Sequence, residues 1–453
     1  MPRKIIVIGA GAAGLTAASM AREHDTEAVI DVFTEDEHIA YSPCAVIYAI
    51  QGVIKDFDSI IMHRPEFYKE KRNISVHTRT RVDSVDVEGK TATLADGTIL
   101  PFDSLVLAAG GKMFIPPVEG AKLPGIFTIK SVSDGKAIKA ALPTTDCVVI
   151  VGAGVIGLMM AVAVRTLGKK VTVVEKYPSV IPRIIDEDMA AIVQKHCEGL
   201  GIRFVMDTPL SAIKGDGKVE SILAGGKEYS CETVIMATGV RANLELPRSI
   251  GLEIGELGAV RASTTLQPYR NGNLVNDIYV AGDMIMCQSA ATPGPTMSQL
   301  GSTAVRQGRV AGINAAGGYA TYPAALSPWV TYLGEIQAAG TGLSKGLAEY
   351  FGLSIVEGKA VGLTRARYYP GGKSITAKII ADKETHRILG AQLVGGEEVT
   401  GRINWMTGAI LNNVTVEEFV TSYENAYCPP TSMVKDVVNQ AAEVLMAKLN
   451  RNK

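Results

Sequence analysis

At residues 4–21 the chain reads KIIVIGAGAAGLTAASMA, and at 147–164 it reads CVVIVGAGVIGLMMAVAV. Both run from an apolar segment through a glycine turn into small and apolar residues, the order strand, turn, helix. The glycines fall as GxGxxG: Gly9, Gly11 and Gly14 in the first stretch, Gly152, Gly154 and Gly157 in the second. In that spacing the first glycine makes the turn, the second lets backbone approach a pyrophosphate, and the third lets helix and strand pack closely. Ala12 and Ala13, like Val155 and Ile156, then fill the opening helical turn, where backbone N–H groups face phosphates. One such motif is weak evidence. Two, each in strand–turn–helix context, predict an α/β chain with two Rossmann-like nucleotide-binding domains.

The bulk of the chain narrows what it acts on. Its 453 residues allow two or three domains. Lys+Arg 45 against Asp+Glu 46 give a net charge of -1, so neither nucleic acid nor a membrane surface is an expected partner. The first glycine turn leaves no room for a signal peptide, and no unbroken apolar run of about 20 residues spans a bilayer. A cytoplasmic location is therefore expected. Six cysteines, Cys44, Cys147, Cys197, Cys231, Cys287 and Cys428, lack CxxC spacing, and the six histidines lack metal-ligand spacing. Neither a disulfide framework nor a metal site is expected.

The second strand of each unit should end in an acidic residue that accepts bonds from the adenosine ribose. KKVTVVEKY brings Glu175 to that place, which suits the free 2′-hydroxyl of NADH, while the adjacent Lys176 leaves NADPH open. AVIDVFTEDEH has Thr34 there and Glu35 next, and Glu35 is read as the ribose ligand of a flavin dinucleotide. NDIYVAGDMI (276–285) sets Gly282 and Asp283 after a strand, where the carboxylate bonds a ribityl chain and the next helix points its dipole at the flavin. Ala109-Gly110 and Thr238-Gly239 stand at the hinges of the two domains. Beyond residue 324, alternating ARYYPGGKSITAKIIADKETHRILGAQLVGG and the amphipathic VTGRINWMTGAILNN and SMVKDVVNQAAEVLMAKL predict strands followed by helices. PGGKS (370–374) lacks the earlier glycine of a phosphate loop and reads as a hairpin tip.

Together these segments resemble the pyridine nucleotide–disulfide oxidoreductases. Within them they are similar to the single-cysteine branch: coenzyme A disulfide reductases, polysulfide or persulfide reductases, NADH oxidases and NADH peroxidases. The likeness continues through GSTAVRQGRVAGINAAGG (301–318) and RILGAQLVGGEEVTGRINWMTGAI (387–410). It implies an FAD domain in two parts, 1–111 and 252–323, an NAD(P)H domain at 112–251 between them, and an α+β interface domain at 324–453 that forms a homodimer. FAD would occupy the first GxGxxG unit and NADH, or NADPH, the second.

IAYSPCAVIYAI (39–50) places Cys44 behind Ser42-Pro43. Ser42 is a fitting N-cap and Pro43 a fitting first helical residue, with Gly52 to end the helix. A thiol in a helix's first turn is favoured as its thiolate. The resemblance makes Cys44 the redox cysteine. Two-cysteine relatives carry a second thiol where this chain has Ala49, and a histidine where it has Pro429. Cys44 is then expected to alternate with a mixed disulfide, a persulfide or a sulfenic acid. The branch's oxidases and peroxidases have a histidine where Ala12 stands, which speaks against those activities. Its disulfide and sulfur reductases use a tyrosine in an AYxPP segment of the partner subunit, and Tyr427 in AYCPPTS (426–432) matches it. Cys428 stands where alanine is usual, and is either a small replacement or a resolving thiol for Cys44.

The expected activity is FAD-dependent, NAD(P)H-driven reduction of a small disulfide, persulfide or polysulfide, with coenzyme A disulfide leading. The alternatives are an NADH oxidase, or an electron-transfer subunit serving an iron–sulfur partner protein. Met159, where relatives carry a carboxylate near the nicotinamide, and Thr34, at the first unit's ribose position, keep the last alive. Cys147 and Cys231 read as core, Cys197 as packing or surface, and Cys287 as a neighbour of the Asp283 segment. Tyr423 reads equally as packing or chemistry. Arg22, Lys71 and Arg72 read as solvated charge or as phosphate contacts for a coenzyme A substrate.

Overall fold

The computed structural model describes residues 1–451. Lys4–Ile8 (β1) pairs in parallel with Val29–Phe33 (β2) on one side and Ser104–Leu107 on the other. Ser75–His77 and Ile278–Val280 complete this five-stranded parallel sheet. Strand 278–280 comes from beyond the second glycine unit, so that unit is an insertion in the first. Both faces of β1 are covered, which is why its sequence is a continuous apolar run rather than an alternation. Ala12–His24 (α1) lies against a later helix, Gly301–Ala315, at very short range. A Cβ at Gly308 or Gly312 would stand 2.3 or 2.2 Å from the carbonyl oxygens of Ala13 and Ala17. Between β2 and strand 75–77, Pro43–Gln51 forms the helix that carries Cys44 (α2).

The insertion repeats the plan. Cys147–Val151 (β3) and Lys170–Val174 (β4) are central strands of a parallel sheet with Arg203–Val205, Thr233–Met236 and Ile126–Thr128. The turns superpose in their bonding: Gly9 N–H donates to Phe33 O and Gly152 N–H to Val174 O, both at 2.8 Å. Helices Val132–Ala141 (α3) and Val155–Thr166 (α4) cover this sheet, and α2 packs on both.

The C-terminal segment is a five-stranded antiparallel sheet of strands 329–333, 336–342, 388–395, 374–382 and 355–363, with helices Val399–Leu411 and Val437–Arg451 packed on it. The last helix starts later than SMVKDVVNQ suggests. Asp436 acts as its cap, accepting from Val438 N–H at 3.0 Å, and is itself paired with buried Arg402 at 2.7 Å. This sheet meets the inserted domain at Lys378, whose side chain is only 3% exposed. Its Nζ lies 2.8 Å from Asp186, 2.9 Å from Glu357 and 3.0 Å from Asp188. Burial alone would lower its pKa, but the hydrogen bonds to Asp186 and Glu357 outweigh that and hold it above the ordinary lysine value. Among the described residues no helix is long and apolar enough to cross a membrane.

Candidate active site

The glycine turns divide into residues the fold needs and residues only a ligand needs. At Gly9 (φ +107°) a Cβ would meet Ala108 O at 2.2 Å, and at Gly14 it would meet Gly9 O at 1.8 Å. Gly152 (φ +107°) and Gly157 repeat this, at 2.4 Å from Ala237 O and 2.0 Å from Gly152 O. Gly11 and Gly154 differ: their φ values are −81° and −70°, and nothing lies within 4 Å of a Cβ built there. No side chain caps either helix and neither has an acid in its first turn. The N–H groups of Ala12, Ala13, Val155 and Ile156 thus stand at positive helix ends with room for backbone approach at Gly11 and Gly154, which fits two dinucleotide pyrophosphates.

At the ribose end of the second unit, Glu175 is buried. Its Oε2 accepts from Ala153 N–H at 2.7 Å and its Oε1 from Tyr177 N–H at 3.0 Å. The chain then hooks back. Ile181 and Arg183 both have left-handed φ, +47° and +73°, at a cost of about 1–2 kcal/mol each for non-glycine residues. Two bonds hold the hook: Ile181 N–H to Ala153 O and Ser344 Oγ–H to Arg183 O, each 2.8 Å. In the first unit Thr34 fills the place of Glu175, buried, with its hydroxyl accepting from Asp36 N–H at 3.2 Å. Glu35 points outward, 65% exposed, 3.9 Å from Arg81.

Asp283 follows strand 278–280, and its carboxyl is pushed up by burial, an effect opposed by nearby Lys130. A short strand, not a helix, comes next. The helix expected there begins at Gly301, with Gln299 at its head bonding Asp283 O at 3.4 Å and Gln307 accepting from Gly282 N–H at 2.8 Å. Gly110 (φ +64°) and Gly239 (φ +103°) leave open space beside the hinges. Asn243 N–H donates to Gly110 O, Phe114 N–H to Gly239 O, and Thr238 Oγ1 to Phe114 O. Lys130, which bonds Gly111 O, carries no motif and was invisible in the sequence.

Cys44 is exposed in the first turn of α2, after Pro43 at its head. Ser42 has cap dihedrals but its side chain makes no capping bond, and Ala45 N–H donates to the Ser42 carbonyl at 3.0 Å. Gly52 ends the helix at φ +86°. Lys139 of α3 donates to Ala49 O at 2.8 Å, and a Cβ on Gly135 would strike Val46 at 2.5 Å, so α2 is fixed in place. Ala49 is fully buried. Tyr48, one turn after Cys44, has its hydroxyl pushed up by burial and then by Cys44 and Tyr332.

Tyr427 and Cys428 are exposed on a loop of the C-terminal domain. Tyr427 shares a 2.5 Å hydrogen bond with Tyr368, from the loop that includes PGGKS, and Ala366 N–H donates to Pro429 O at 3.0 Å. The Tyr368 bond, the largest effect, raises the Tyr427 hydroxyl above its usual value. Tyr368 was missed in the sequence, where RARYYPGG gives no sign that its loop reaches AYCPP. Arg365 anchors that loop through Glu397 at 2.7 Å. Tyr423 stacks on Phe419 at 5.1 Å, a packing role.

The remaining candidates are structural. Arg22 is half-buried and its guanidinium is committed to backbone rather than to a phosphate: it donates to the carbonyls of Asp25, Thr26, Ala28, Arg72 and Asn73 at 2.5–3.1 Å. Burial pushes the Cys197 and Cys231 thiols up to about 12 and Cys287 to about 11, which keeps them protonated. Cys147 is half-buried on β3, and Cys287 accepts a long bond from Gln307.

Two phosphate cradles in tandem, with an exposed cysteine on a helix packed between their domains, define a flavin- and nicotinamide-dependent redox enzyme. The chain belongs to the pyridine nucleotide-disulphide oxidoreductases: that family's model matches residues 3–308, and its dimerisation domain matches 327–436. Its cofactors are FAD and NAD(P)H, and the C-terminal domain makes it a homodimer. It is 43% identical over 453 residues to an NADH oxidase of Methanocaldococcus jannaschii, covering 99% of each chain. It is 32% identical to an NAD(P)H sulfur oxidoreductase (CoA-dependent) of Pyrococcus abyssi over 98% of each. Among solved structures, an NAD-dependent persulfide reductase from A. fulgidus matches with a TM-score of 0.95 and 31% identity, over 99% of this chain and 84% of that one.

Proposed function

We propose that the chain reduces a low-molecular-weight disulfide, persulfide or polysulfide at Cys44, with coenzyme A disulfide the leading substrate. One observation carries this: Cys44 is exposed at a helix head, while the site of an internal partner thiol holds buried Ala49. A cysteine so placed exchanges with a sulfur from outside. The turn of Gly9, Gly11 and Gly14, with Glu35, Ala109, Gly110 and Asp283, holds FAD, and the turn of Gly152, Gly154 and Gly157, with Glu175, Thr238 and Gly239, holds NAD(P)H. Bound flavin supplies two-electron relay between nicotinamide and sulfur. The Cys44 thiolate attacks a substrate sulfur and displaces the first thiolate. The partner subunit's Tyr427, held by Tyr368, gives that thiolate a proton. Reduction of the Cys44–sulfur bond frees the second thiol and restores the thiolate, so that RSSR, NAD(P)H and one proton give two RSH and NAD(P)+. Six unpaired cysteines suit a reducing compartment, the cytoplasm.

A second reading, NADH oxidase, is favoured by the name of the 43% identical relative. Ala12 argues the other way, since it offers no titratable group to a bound oxygen species. An electron-transfer partner protein is the third reading. Anaerobic titration with NADH separates them. Substrate-loaded wild type is expected to consume about two two-electron equivalents per subunit and release thiol, and Cys44→Ser one equivalent with none. One equivalent in both proteins, with no thiol, would overturn the proposal.

A further inference from the structure

The helix that carries Cys44 belongs to the flavin domain by chain order and to the inserted domain by packing. Val46, Ile47, Ala49 and Ile50 of α2 are buried in one apolar cluster with Val132 and Ile138 of α3 and Leu158 of α4. Among the described residues, the cluster built around β1 and α1 contains none of these four. Helix α3 meets α2 at three levels. At its head the Tyr41 hydroxyl, three residues before Cys44, lies beside the Val132 N–H. Burial pushes that hydroxyl up to about 12 and Asp36 adds to the effect, while the N–H opposes it. Midway, a Cβ on Gly135 would stand 2.5 Å from Val46 and 2.6 Å from Phe57, so glycine is kept inside a helix where alanine is the better helix former. At the far end Lys139 Nζ donates to Ala49 O at 2.8 Å and lies 5.5 Å from the centre of the Phe57 ring. Ala49 O is among the last four carbonyls of α2, which no N–H of the helix itself can reach.

We infer that α3 of the inserted domain sets the place of the redox cysteine, and that Lys139 is the positioning residue. This rests on the reading of Cys44 as the site of sulfur exchange and adds what holds it there. A helix of nine residues passes a displacement at one end to the other almost undiminished, and Ala49 stands about 7.5 Å along the axis from Cys44. Lys139 ties down that far end with a hydrogen bond. It also sets a cation at the negative end of the α2 dipole, offsetting the charge there that opposes a thiolate at the head. Its partners are Ala49 and Phe57, not the glycine turns. Flavin reduction by NADH should therefore not feel its loss. Attack by Cys44 should, because the sulfur must stand within a fraction of an ångström of its productive place.

The test compares wild type, Lys139→Met and Lys139→Arg as FAD-loaded dimers in three readouts. These are flavin reduction by NADH, thiol release from coenzyme A disulfide, and alkylation of Cys44 by iodoacetamide followed by mass spectrometry. Lys139→Met is expected to keep flavin reduction within about twofold of wild type and to lower kcat for thiol release about tenfold, with KM little changed. Alkylation of Cys44 should slow about two- to fivefold, the size of a helix-end charge effect. Lys139→Arg, which keeps both donor and charge, should recover most of each loss. Wild-type thiol release and alkylation in Lys139→Met would overturn the proposal. So would equal slowing of thiol release and flavin reduction, the mark of a fold loosened throughout, or no recovery in Lys139→Arg. Alkylation needs no disulfide, so slowing there, with no thiol released even by wild type, would keep Lys139 in its place and overturn the substrate instead.

Discussion

A methyl group added at Gly154 and, separately, at Gly157 distinguishes a cradle kept for a ligand from a contact kept for the fold. Gly154 has φ −70°, ordinary for alanine, and its Cβ would meet no atom within 4 Å. The unliganded protein should therefore tolerate Gly154→Ala, with a gain of up to about 0.5–1 kcal/mol from a stiffer unfolded chain. The methyl fills the space a pyrophosphate needs against the backbone. Holding the phosphate off breaks one charge-assisted backbone bond worth about 1.5–3 kcal/mol, or roughly 10- to 100-fold in NADH affinity. Gly157→Ala drives a methyl to 2.0 Å from Gly152 O and 3.3 Å from Ala237 Cβ, and α4 must lift from β3 at a cost of about 1–3 kcal/mol. The assay is urea unfolding of each variant together with the NADH dependence of flavin reduction. Gly154→Ala should unfold with wild type and bind NADH weakly, and Gly157→Ala should unfold early. Wild-type NADH affinity in Gly154→Ala would refute the reasoning, as would equal destabilisation by the two variants.

Three further outcomes follow from the same contacts. Lys378→Met should cost about 3–5 kcal/mol at pH 8, because it strands Asp186 and Glu357 without their cation. A urea midpoint for Lys378→Met equal to that of wild type would contradict this. Tyr427→Phe should slow thiol release by about 100-fold while NADH still reduces the flavin. Since the Tyr368 bond raises the Tyr427 hydroxyl, the proton is held through neutral pH, and wild-type rates should fall only as pH climbs past the ordinary tyrosine value, near 10. Cys428→Ala should keep wild-type turnover, and a Cys44–Cys428 disulfide trapped on a non-reducing gel after oxidation would instead make Cys428 a resolving thiol.

The nucleotide units were legible because glycine spacing is a backbone requirement: Gly9, Gly14, Gly152 and Gly157 admit no Cβ, so the sequence must declare them. The same holds for Cys44, whose Pro43 and Gly52 mark the ends of α2. Residues that act by meeting across long separations left no such mark. Tyr368 and Tyr427 are 59 positions apart, and Lys378 meets Asp188 across 190. Arg22 looked like surface charge because its partners are backbone carbonyls, which no residue type reveals. The helix after Asp283 comes later than the segment suggests because Ile285–Gln288 pairs into a small sheet first, and helix 301–315 meets the Gly282-Asp283 backbone through Gln299 and Gln307.

The buried Lys378 cluster bears on how the coenzyme comes and goes. A domain joined to the dimer core through a buried lysine does not swing open once per turnover, because each opening would part Lys378 from Asp186 and rehydrate both of these buried charges. Exchange at the second nucleotide site is then a matter of small parts moving on a fixed frame: the Tyr177 ring, the Lys176 and Arg183 cations 4.8 and 5.1 Å from it, and the left-handed hook at Ile181 and Arg183.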